Sequence, residues 1–356
     1  MTAKIQVAIL GATGAVGQQM VAMLDGHPWF ELSEVVASDR SAGREYAEVV
    51  DWRLPGSPPE TAAGLLVQPL EKRPRSRLLL SAVDARVAAD VESELAREGY
   101  AVVSNSSSHR MDPQVPLVIP EVNASHLEAL ATARTPAGGF IVTNPNCSTI
   151  GLVLALKPLW DRFGIAEVQV TTLQAISGAG LDGVPGGVIT DNVVPYIPGE
   201  EEKLESEPRK ILGRWEGTFV PAGLAVSASC HRVAVLDGHL EAVSVRLRSP
   251  ATADQVAEAF QSFHAAPEVA ALPSSPASPV QLHRRPDRPQ PRLDRDAGRG
   301  MTVSVGRLRE CPVLDWKFTV LSHNLVRGAA GAALLNAELL AAQGWVGSNF
   351  GAGTGG

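Results

Sequence analysis

A short apolar strand that runs directly into a glycine-rich turn constrains the fold of this chain more than any other feature. The segment Ile5–Leu10 has the composition of a buried strand, and Gly11, Gly14 and Gly17 follow it, ahead of a helical run. Glycines in this context allow a tight turn, and the amides at the helix N-terminus offer donors to a phosphate. Although the glycine spacing differs from the G-x-G-x-x-G pattern, the order strand, turn, helix predicts a dinucleotide-binding loop.

The rest of residues 1–146 continues this alternation. Apolar runs at 34–37, 78–82, 101–104 and 140–143 are separated by helical stretches, which predicts a Rossmann-like, doubly wound parallel sheet. From about Ile165 longer alternating strands appear, at 166–173, 239–247 and 302–308, and they predict a second, largely antiparallel α+β domain. Residues 324–343 read as a helix and 344–356 as a frayed tail. We therefore expect an α/β protein with two domains.

Composition excludes several classes of function. The balance of 31 Lys and Arg against 38 Asp and Glu leaves a net charge of -7, which argues against nucleic acid or an anionic membrane as a partner. No apolar run is long enough to span a bilayer. The three cysteines have neither disulfide nor metal-type spacing, so we expect a soluble, cytoplasmic protein with no metal site. Residues 265–299, rich in Pro, Arg and Asp, are predicted to be an extended surface arm, too polar for core.

Cys147 precedes a helix-forming run and is the candidate nucleophile. It follows a strand, and the apolar stretch 150–156 begins just behind it. A thiol at a helix N-terminus has a lowered pKa, and the amides there can stabilise an oxyanion. A buried, inert cysteine is the ordinary alternative. The neighbouring Asn146 and Ser148 favour the nucleophile.

Among the histidines, His239 is the candidate proton donor and acceptor, because it follows a strand and an Asp237-Gly238 turn. If these two residues make a two-residue hairpin, Arg232 shares a face with His239, with about 13 Å between their backbones. Both side chains would then enter one cleft. The alternative is a solvated histidine at a hairpin tip.

Further basic residues suit an anionic substrate. Arg110 follows a run of serines, and Lys203 follows the acidic run that starts at Glu200. Residues 200–207 can equally be a solvated helix face with internal salt bridges.

The end of the second predicted strand bears on the nucleotide. Asp39 lies there, about 20 residues beyond the loop, where an acid binds the ribose hydroxyls of NAD. Arg40, flanked by Ser38 and Ser41, instead suits a 2′-phosphate, so the sequence favours NADP. A solvated loop charge is the alternative for Arg40.

Taken together, these stretches resemble the aspartate-semialdehyde dehydrogenase family, in particular its archaeal and fungal-type branch, over almost the whole chain. The segments that carry the resemblance are residues 11–17, 37–43, 104–110 with 115–123, 144–149, Gln174 with 177–180, 196–203, 232–239 and 322–330. One departure concerns residues 81–85, Ser-Ala-Val-Asp-Ala, where the family commonly has Ser-Ala-Leu-Pro. This change affects the wall of the cofactor cleft.

The resemblance implies a role for each candidate residue. The catalytic group is the nucleophile Cys147, the acid/base catalyst His239 and the substrate-orienting Gln174. The substrate would be bound by Arg232 at its α-carboxylate, Glu200 at its ammonium, and Arg110 and Lys203 at its phosphate, with Asn146 beside the nucleophile. The implied NADP-binding residues are Gly11, Thr13, Gly14, Ala15, Val16, Ser38, Arg40, Ser41, Ser81, Ser177, Gly178 and Asn324.

The resemblance also implies the reaction and the domain organisation. The reaction is the NADPH-dependent reduction of L-4-aspartyl phosphate to L-aspartate 4-semialdehyde and phosphate through a thioester on Cys147, in lysine, threonine and methionine biosynthesis. Residues 1–146 and 324–356 would form the NADP-binding domain. Residues 147–323 would form the catalytic and oligomerisation domain of a homodimer or homotetramer.

Three alternatives remain open at this point. A malonyl-CoA or other acyl-CoA reductase of the same fold would keep Cys147 and His239 but would need no partner for an α-ammonium. N-acetylglutamyl-phosphate reductase shares the architecture, but residues 200–203 and 115–123 fit it less well. A non-catalytic nucleotide-binding paralogue would be expected to lose the nucleophile or the base.

Overall fold

The computed structural model describes residues 3–347, which form two six-stranded sheets with helices packed against them. The strands are β1 (Ile5–Leu10), β2 (Phe30–Ala37), β3 (Gln68–Pro69), β4 (Leu78–Ser81), β5 (Ala101–Ser104), β6 (Phe140–Thr143), β7 (Ile165–Gln174), β8 (Arg214–Trp215), β9 (Phe219–Val220), β10 (Ala225–Arg232), β11 (His239–Leu247), β12 (Val280–Leu282), β13 (Val303–Glu310) and β14 (Trp316–Ser322). The predicted tail beyond residue 347 lies outside the described residues.

Thirteen α-helices are found among these described residues. They are α1 (Ala15–Leu24), α2 (Tyr46–Val49), α3 (Glu60–Ala63), α4 (Ala85–Arg97), α5 (Pro120–Asn123), α6 (Leu130–Ala133), α7 (Cys147–Phe163), α8 (Gly186–Ile189), α9 (Glu200–Ile211), α10 (Ala253–Gln261), α11 (Pro267–Ala270), α12 (Pro291–Asp294) and α13 (Gly331–Ala342). Short 3-10 helices occur at Ala124–Ala129 and Ile176–Ala179, and a π-helical turn at Val326–Ala330. Within residues 3–347, none of the helices is long and apolar enough to cross a membrane.

The first sheet has the strand order β3-β2-β1-β4-β5-β6, and every pairing in it is parallel. This is the order of a doubly wound dinucleotide-binding fold, in which ligands bind at the carboxyl ends of the strands where the order reverses. The order reverses between β1 and β4, at the end of β1 where the glycine-rich turn begins. The predicted Rossmann-like sheet is confirmed, and the predicted β5 and β6 have the observed bounds.

The second sheet has the order β10-β7-β11-β14-β13-β12. Its three central pairings are antiparallel, whereas β10 pairs with β7 and β12 with β13 in parallel. The long helix α7 packs against one face of this sheet and forms a core with it, in which Leu152, Val170 and Val243 are buried. The predicted second α+β domain is therefore present, with a mixed sheet.

The two-residue hairpin predicted at Asp237 and Gly238 is wrong. β10 ends at Arg232 and pairs with β7, and β11 begins at His239 on the other side of β7. The connection between them therefore crosses the end of β7 instead of turning straight back. An Asp-Gly pair between two strand-like runs cannot reveal a third strand that inserts between them from elsewhere in the chain.

The proline-rich segment 265–299 also differs from its prediction, because parts of it enter the core. Val269 and Leu272 are buried in the core of the first sheet. Val280, in β12, is buried in the core of the second. The interpretation of this segment as too polar for core was wrong, because a few apolar side chains at wide spacing are enough to anchor an irregular segment.

The predicted C-terminal helix is present, although it begins with a π-helical turn. Within that turn Arg327 is fully buried and donates to both oxygens of the fully buried Glu121, at 2.8 and 2.7 Å. Helix α13 then packs its apolar side chains, among them Leu335 and Leu339, into the core of the first sheet. The end of the described chain thus returns to the sheet at which it began.

Candidate active site

The glycine-rich turn after β1 is shaped by close backbone contacts. A Cβ atom on Gly11, where φ is +80°, would lie 2.7 Å from the carbonyl oxygen of Ala82, and one on Gly17 would lie 2.2 Å from that of Gly11. A Cβ on Gly14 would meet only the Gly11 oxygen, at 3.5 Å. The first and third glycines are therefore required by the turn itself, whereas the second leaves the space in front of α1 open for a ligand.

Two side chains hold the carbonyl groups of this turn. The Tyr46 hydroxyl donates to the oxygen of Ala12 at 2.9 Å, and Gln18 Nε2 donates to that of Thr13 at 3.0 Å. Within the described residues, the amides of Ala15 and Val16 donate to no backbone carbonyl. Free amides at the start of a helix suit an anion such as a pyrophosphate. No local sequence signal pointed to Tyr46 or Gln18.

The residues predicted to hold a 2′-phosphate lie in a turn after β2. The Ser41 amide donates to the oxygen of Ser38 at 2.9 Å, and Arg40 between them is exposed. In the described part of the chain, the Arg40 guanidinium forms no ion pair, so it is available to a ligand. The Ser81 hydroxyl, in contrast, donates to the buried Glu92 at 2.6 Å. Any contact of Ser81 with the cofactor would therefore be made by atoms other than this hydroxyl hydrogen.

Cys147 is the first residue of α7, as the sequence predicted. The side-chain oxygen of Asn146 caps the helix by accepting from the amide of Ser148 at 2.9 Å. The sulfur lies 3.2 Å from Nε2 of His239, and Nδ1 of that ring accepts from the amide of Ala175 at 3.0 Å. Because Nδ1 accepts, the proton of the neutral ring lies on Nε2 and is directed at the sulfur.

Burial dominates the protonation of this pair. It raises the pKa of the Cys147 thiol to about 12, an effect to which Glu200 adds, while Arg110, Arg232 and Lys203 oppose it. The direction is opposite to that predicted from the helix N-terminus, because removal from water outweighs the favourable charges. Burial also lowers the pKa of His239 to about 3, so the ring is neutral at physiological pH.

Three residues of the predicted site meet at the carboxylate of a fourth, Glu200. Glu200 accepts from Asn146 Nδ2 at 3.0 and 2.9 Å, from Gln174 Nε2 at 3.0 Å and from Lys203 Nζ at 2.8 Å. Burial opposes the ionisation of Glu200, but the ion pair with Lys203 and these hydrogen bonds lower its pKa below the usual value. Glu200 is therefore an anion that joins the nucleophile loop to β7 and α9.

Neighbouring strands bring further predicted residues into one row. Arg232 in β10 pairs with Gln174 in β7, and His239 in β11 pairs with Ser322 in β14. Arg232 Nη1 donates to the oxygen of Ala175 at 2.8 Å. Side chains of laterally paired residues point to the same face of a sheet, so this row faces the N-terminus of α7.

Glycine is needed where the chain passes closest to this row. A Cβ on Gly178 would lie 2.7 Å from Nη1 of Arg232 and 3.0 Å from Cε1 of His239. A Cβ on Gly328 would lie 2.7 Å from Cβ of Cys147. The π-helical turn that carries Gly328 therefore packs directly on the nucleophile, in keeping with the frequent occurrence of such turns at functional sites.

Asn324 connects three segments around the cavity. Its Nδ2 donates to the Ser177 hydroxyl at 2.8 Å, and its Oδ1 accepts from the amide of Gly238 at 2.8 Å. Ser177 and Asn324, predicted to lie along the nicotinamide, thus lie next to each other and next to the residue that precedes His239.

One cavity of about 440 Å³ connects the glycine-rich turn with the nucleophile. The predicted residues that line it are Ala15, Val16, Arg110, Asn146, Cys147, Ser177, Gly178, Glu200, Lys203, Arg232 and Asn324. A larger hollow of about 700 Å³ beside Glu34 and Lys72 contains neither cysteine nor histidine. Within residues 3–347, no three His, Cys, Asp or Glu side chains are grouped as metal ligands.

A nucleotide-binding turn that shares its cavity with a cysteine, whose sulfur contacts a buried histidine, defines a class of protein, the nucleotide-linked dehydrogenases that use a thiol. Family models agree: residues 6–130 match the NAD binding domain of semialdehyde dehydrogenases, and residues 156–327 match their dimerisation domain. The chain belongs to the aspartate-semialdehyde dehydrogenase family.

Individual relatives support this membership over almost the whole chain. The aspartate-semialdehyde dehydrogenase of Methanothermobacter thermautotrophicus is 49% identical, with 94% of this chain and 99% of that protein covered. That of Archaeoglobus fulgidus is 48% identical, with 95% and 98% covered. The crystal structure of aspartate semialdehyde dehydrogenase with NADP from Candida albicans has a TM-score of 0.89 at 42% identity, with 97% of this chain and 100% of that chain covered.

Proposed function

We propose that the chain performs the reaction of its family at the pair Cys147 and His239: the NADPH-dependent reduction of L-4-aspartyl phosphate to L-aspartate 4-semialdehyde and phosphate. The observation that carries this assignment is the 3.2 Å contact between Sγ and Nε2, because the cysteine of this pair lines the same cavity as Ala15 and Val16 of the nucleotide-binding turn. The similarity to aspartate-semialdehyde dehydrogenases over almost the whole chain supports this substrate and not the acyl-CoA alternative. The product serves amino-acid biosynthesis.

The sulfur of Cys147 attacks the acyl carbon, the bond to phosphate breaks, and a thioester forms while the thiol proton leaves with the phosphate. His239 donates a hydrogen bond from Nε2, first to the sulfur and then to the thioester oxygen on which negative charge develops during reduction, because the Ala175 amide keeps the ring proton on that nitrogen. Gln174, fixed by Glu200, orients the substrate beside the sulfur. These roles place one hydrogen-bond donor at a defined point beside the sulfur.

Charges in the cavity match the two ends of this substrate. We assign Arg232 to the α-carboxylate, and Arg110 and Lys203 to the phosphate, because all three cations line the cavity. Glu200 is the anion available to the α-ammonium, a group that malonyl-CoA lacks. An amino-acid substrate therefore uses both signs of charge in the cavity.

The cofactor is NADP, and the residues present fit it. The space in front of Gly14, the free amides of Ala15 and Val16 and the unpaired guanidinium of Arg40 provide for a pyrophosphate and a 2′-phosphate. When bound, NADPH supplies the hydride. We assign its binding to residues 1–146 and 324–356, and the catalytic and oligomeric contacts to residues 147–323.

We further propose a homo-oligomer, a dimer or tetramer, formed through the second sheet. The face of this sheet opposite the catalytic row exposes Glu167 and Gln169 in β7, Ser227 in β10 and Ala242 in β11. This face lies in the segment that matches the family's dimerisation domain. Sedimentation velocity would test the assembly. A cytoplasmic location accords with three free cysteines.

The function is tested by the reverse reaction, in which L-aspartate 4-semialdehyde reduces NADP⁺ in the presence of phosphate. We expect robust activity for the wild type, none above background for Cys147→Ala, and full activity for the control Cys311→Ala, which alters a thiol outside the cavity. An inactive wild-type protein that instead oxidises NADPH with malonyl-CoA would overturn the substrate assignment.

A further inference from the structure

Helix α9 presents a stripe of four charged residues to the active site. Glu200, Lys203, Glu207 and Lys210 are spaced by three, four and three residues, which places them on one face of the helix. The first two line the cavity. The second two are buried behind it, and neither belongs to the set of residues that the family resemblance singled out.

Glu207 connects the phosphate-binding arginine to the nucleophile loop. Its Oε1 accepts from Arg110 Nη1 at 3.0 Å, and its Oε2 accepts from the backbone amide of Asn146 at 2.8 Å. Glu207 is 1% exposed and Arg110 is 7% exposed, so water does not compete for these bonds. One carboxylate thus contacts the residue before Cys147 and the cation assigned to the leaving group.

The guanidinium of Arg110 is held at two of its nitrogens. Besides the bond to Glu207, Nη2 donates to the oxygen of Asn105 at 2.7 Å, whereas Nε has no partner within the described residues. A guanidinium has five N–H donors in one rigid plane, so two fixed bonds define the direction of the remaining three. The orientation of the phosphate-binding plane is therefore set before the substrate arrives.

Lys210, one helical turn further along α9, holds the backbone of the loop that carries Arg110, residues 110–115. Its Nζ donates to the oxygens of Arg110, Asp112 and Val115, each at 2.7 Å. Burial lowers the pKa of Lys210 to about 8, against the effect of Asp112 and Glu207. Lys210 fixes where the loop lies, and Glu207 fixes how the Arg110 side chain is turned.

We propose that Glu207 is a positioning residue for the reaction, which aligns the Arg110 guanidinium with the phosphate and the Asn146 peptide with Cys147. The proposal rests on the proposed function, because it takes the phosphate of the acyl phosphate as the group that Arg110 contacts. Since a misplacement of about 1 Å in a catalytic group can cost about 100-fold in rate, loss of this carboxylate should lower turnover even though it leaves Arg110 charged.

The test compares Glu207→Gln with the control Glu202→Gln in the reverse reaction at varied phosphate. Both changes remove one negative charge from α9, but Glu202 is exposed and its carboxylate has no partner within the described residues. We expect Glu207→Gln to lower kcat/KM for phosphate by about 10- to 100-fold, with the KM for NADP⁺ unchanged. The control should match the wild type.

A double-mutant cycle with Arg110→Lys separates positioning from a general structural role. If Glu207 acts through Arg110, the loss caused by Glu207→Gln should be largely absent in the Arg110→Lys background. A purely structural role would instead lower the melting temperature and weaken phosphate and NADP⁺ kinetics together. That result, or an unchanged or lower KM for phosphate with normal kcat, would overturn the proposal.

If the Gln variant does not fold, Glu207→Asp and a binding measurement take its place. Alkylation of Cys147 by iodoacetamide, slowed by inorganic phosphate, reports phosphate affinity without turnover. We expect at least a tenfold higher phosphate concentration for half-protection in Glu207→Asp, because the shorter side chain cannot reach both partners. If the wild type is active and phosphate protects wild type and Glu207→Asp equally, only the role of Glu207 is contradicted. If the wild type is inactive, the proposed function itself is contradicted.

Discussion

The nucleotide-binding turn and the thiol site are built in opposite ways. The turn is made by the consecutive residues 5–17, and its support from more distant residues includes the hydroxyl of Tyr46 and the backbone oxygen of Val36. The thiol site is assembled from β7, α7, α9, β10 and β11, and its members meet through contacts such as that between Cys147 and His239, 92 positions apart. A local motif can be recognised in the sequence, whereas a site assembled from several elements depends on the order of the strands in the sheet.

The largest effect expected from this difference is at His239. The change His239→Gln should lower kcat by about 10²- to 10⁴-fold with little change in the KM for NADP⁺, because a proton donor is lost while the nucleotide turn is untouched. The matched control is His231→Gln, on the opposite face of β10 from Arg232. Steady-state kinetics would measure both quantities. If His239→Gln raised the KM for NADP⁺ along with lowering kcat, the thiol site and the nucleotide turn would be coupled.

The next effect concerns the nucleotide side alone. Replacing Arg40 by Ala removes the charge assigned to the 2′-phosphate and should raise the KM for NADPH by about 10- to 100-fold, while NADH kinetics stay the same. Arg44→Ala, which removes an exposed arginine paired with Glu48, serves as the control. Equal losses with NADPH and NADH would count against the 2′-phosphate contact.

A smaller effect distinguishes two glycines of the same turn. Gly11→Ala should destabilise the protein by about 1–3 kcal/mol, since φ is +80° and the Ala82 carbonyl would be too close. Gly14→Ala should leave stability nearly unchanged and instead raise the KM for NADPH. Urea unfolding together with cofactor titration measures both, and equal loss of stability in the two variants would remove the distinction.

The smallest effect is a dependence of stability on pH that originates in the thiol site. Burial lowers the pKa of His239 to about 3 in the folded protein, from a value near 6.5 in an unfolded chain. Below pH 6.5 the unfolded state binds a proton that the folded state does not, so stability falls as the pH falls, by up to about 1.4 kcal/mol per pH unit. Above pH 6.5 this contribution is constant. The slope of unfolding free energy between pH 6.5 and 5 should be shallower in His239→Gln, and an unaltered slope would assign the dependence to other groups.

Much of the fold was predictable because the patterns that specify it are local. Short apolar runs and the polar residues that bound them predict strands β5 and β6 and the helix that begins at Cys147. The supposed hairpin at Asp237 and Gly238 was not predictable in its true form, since β7 inserts between β10 and β11 from more than 50 residues upstream. Strand pairing depends on long-range packing that no local pattern records.

The protonation of the site shows the same limit. The sequence indicated that Cys147 begins a helix, and from this alone a lowered pKa follows. The structure reverses the direction, because partial removal from water and the nearby Glu200 outweigh the effect of the helix end. The solvated helix face that the charge run 200–207 allowed is wrong for Glu207, which is buried, and no sequence signal indicated that Lys210 is buried.

The sequence by itself determined the glycine turn, the position of the nucleophile at the start of α7 and the family to which the chain is similar, since each depends on residues that are adjacent along the chain. The tertiary structure decided that Arg232, Gln174 and His239 form one row, that Glu200 joins three side chains, and that Glu207 holds Arg110. These arrangements depend on the order of strands in the second sheet and on which face of α9 is buried. Both are settled by the packing of the whole core, to which every distant segment contributes.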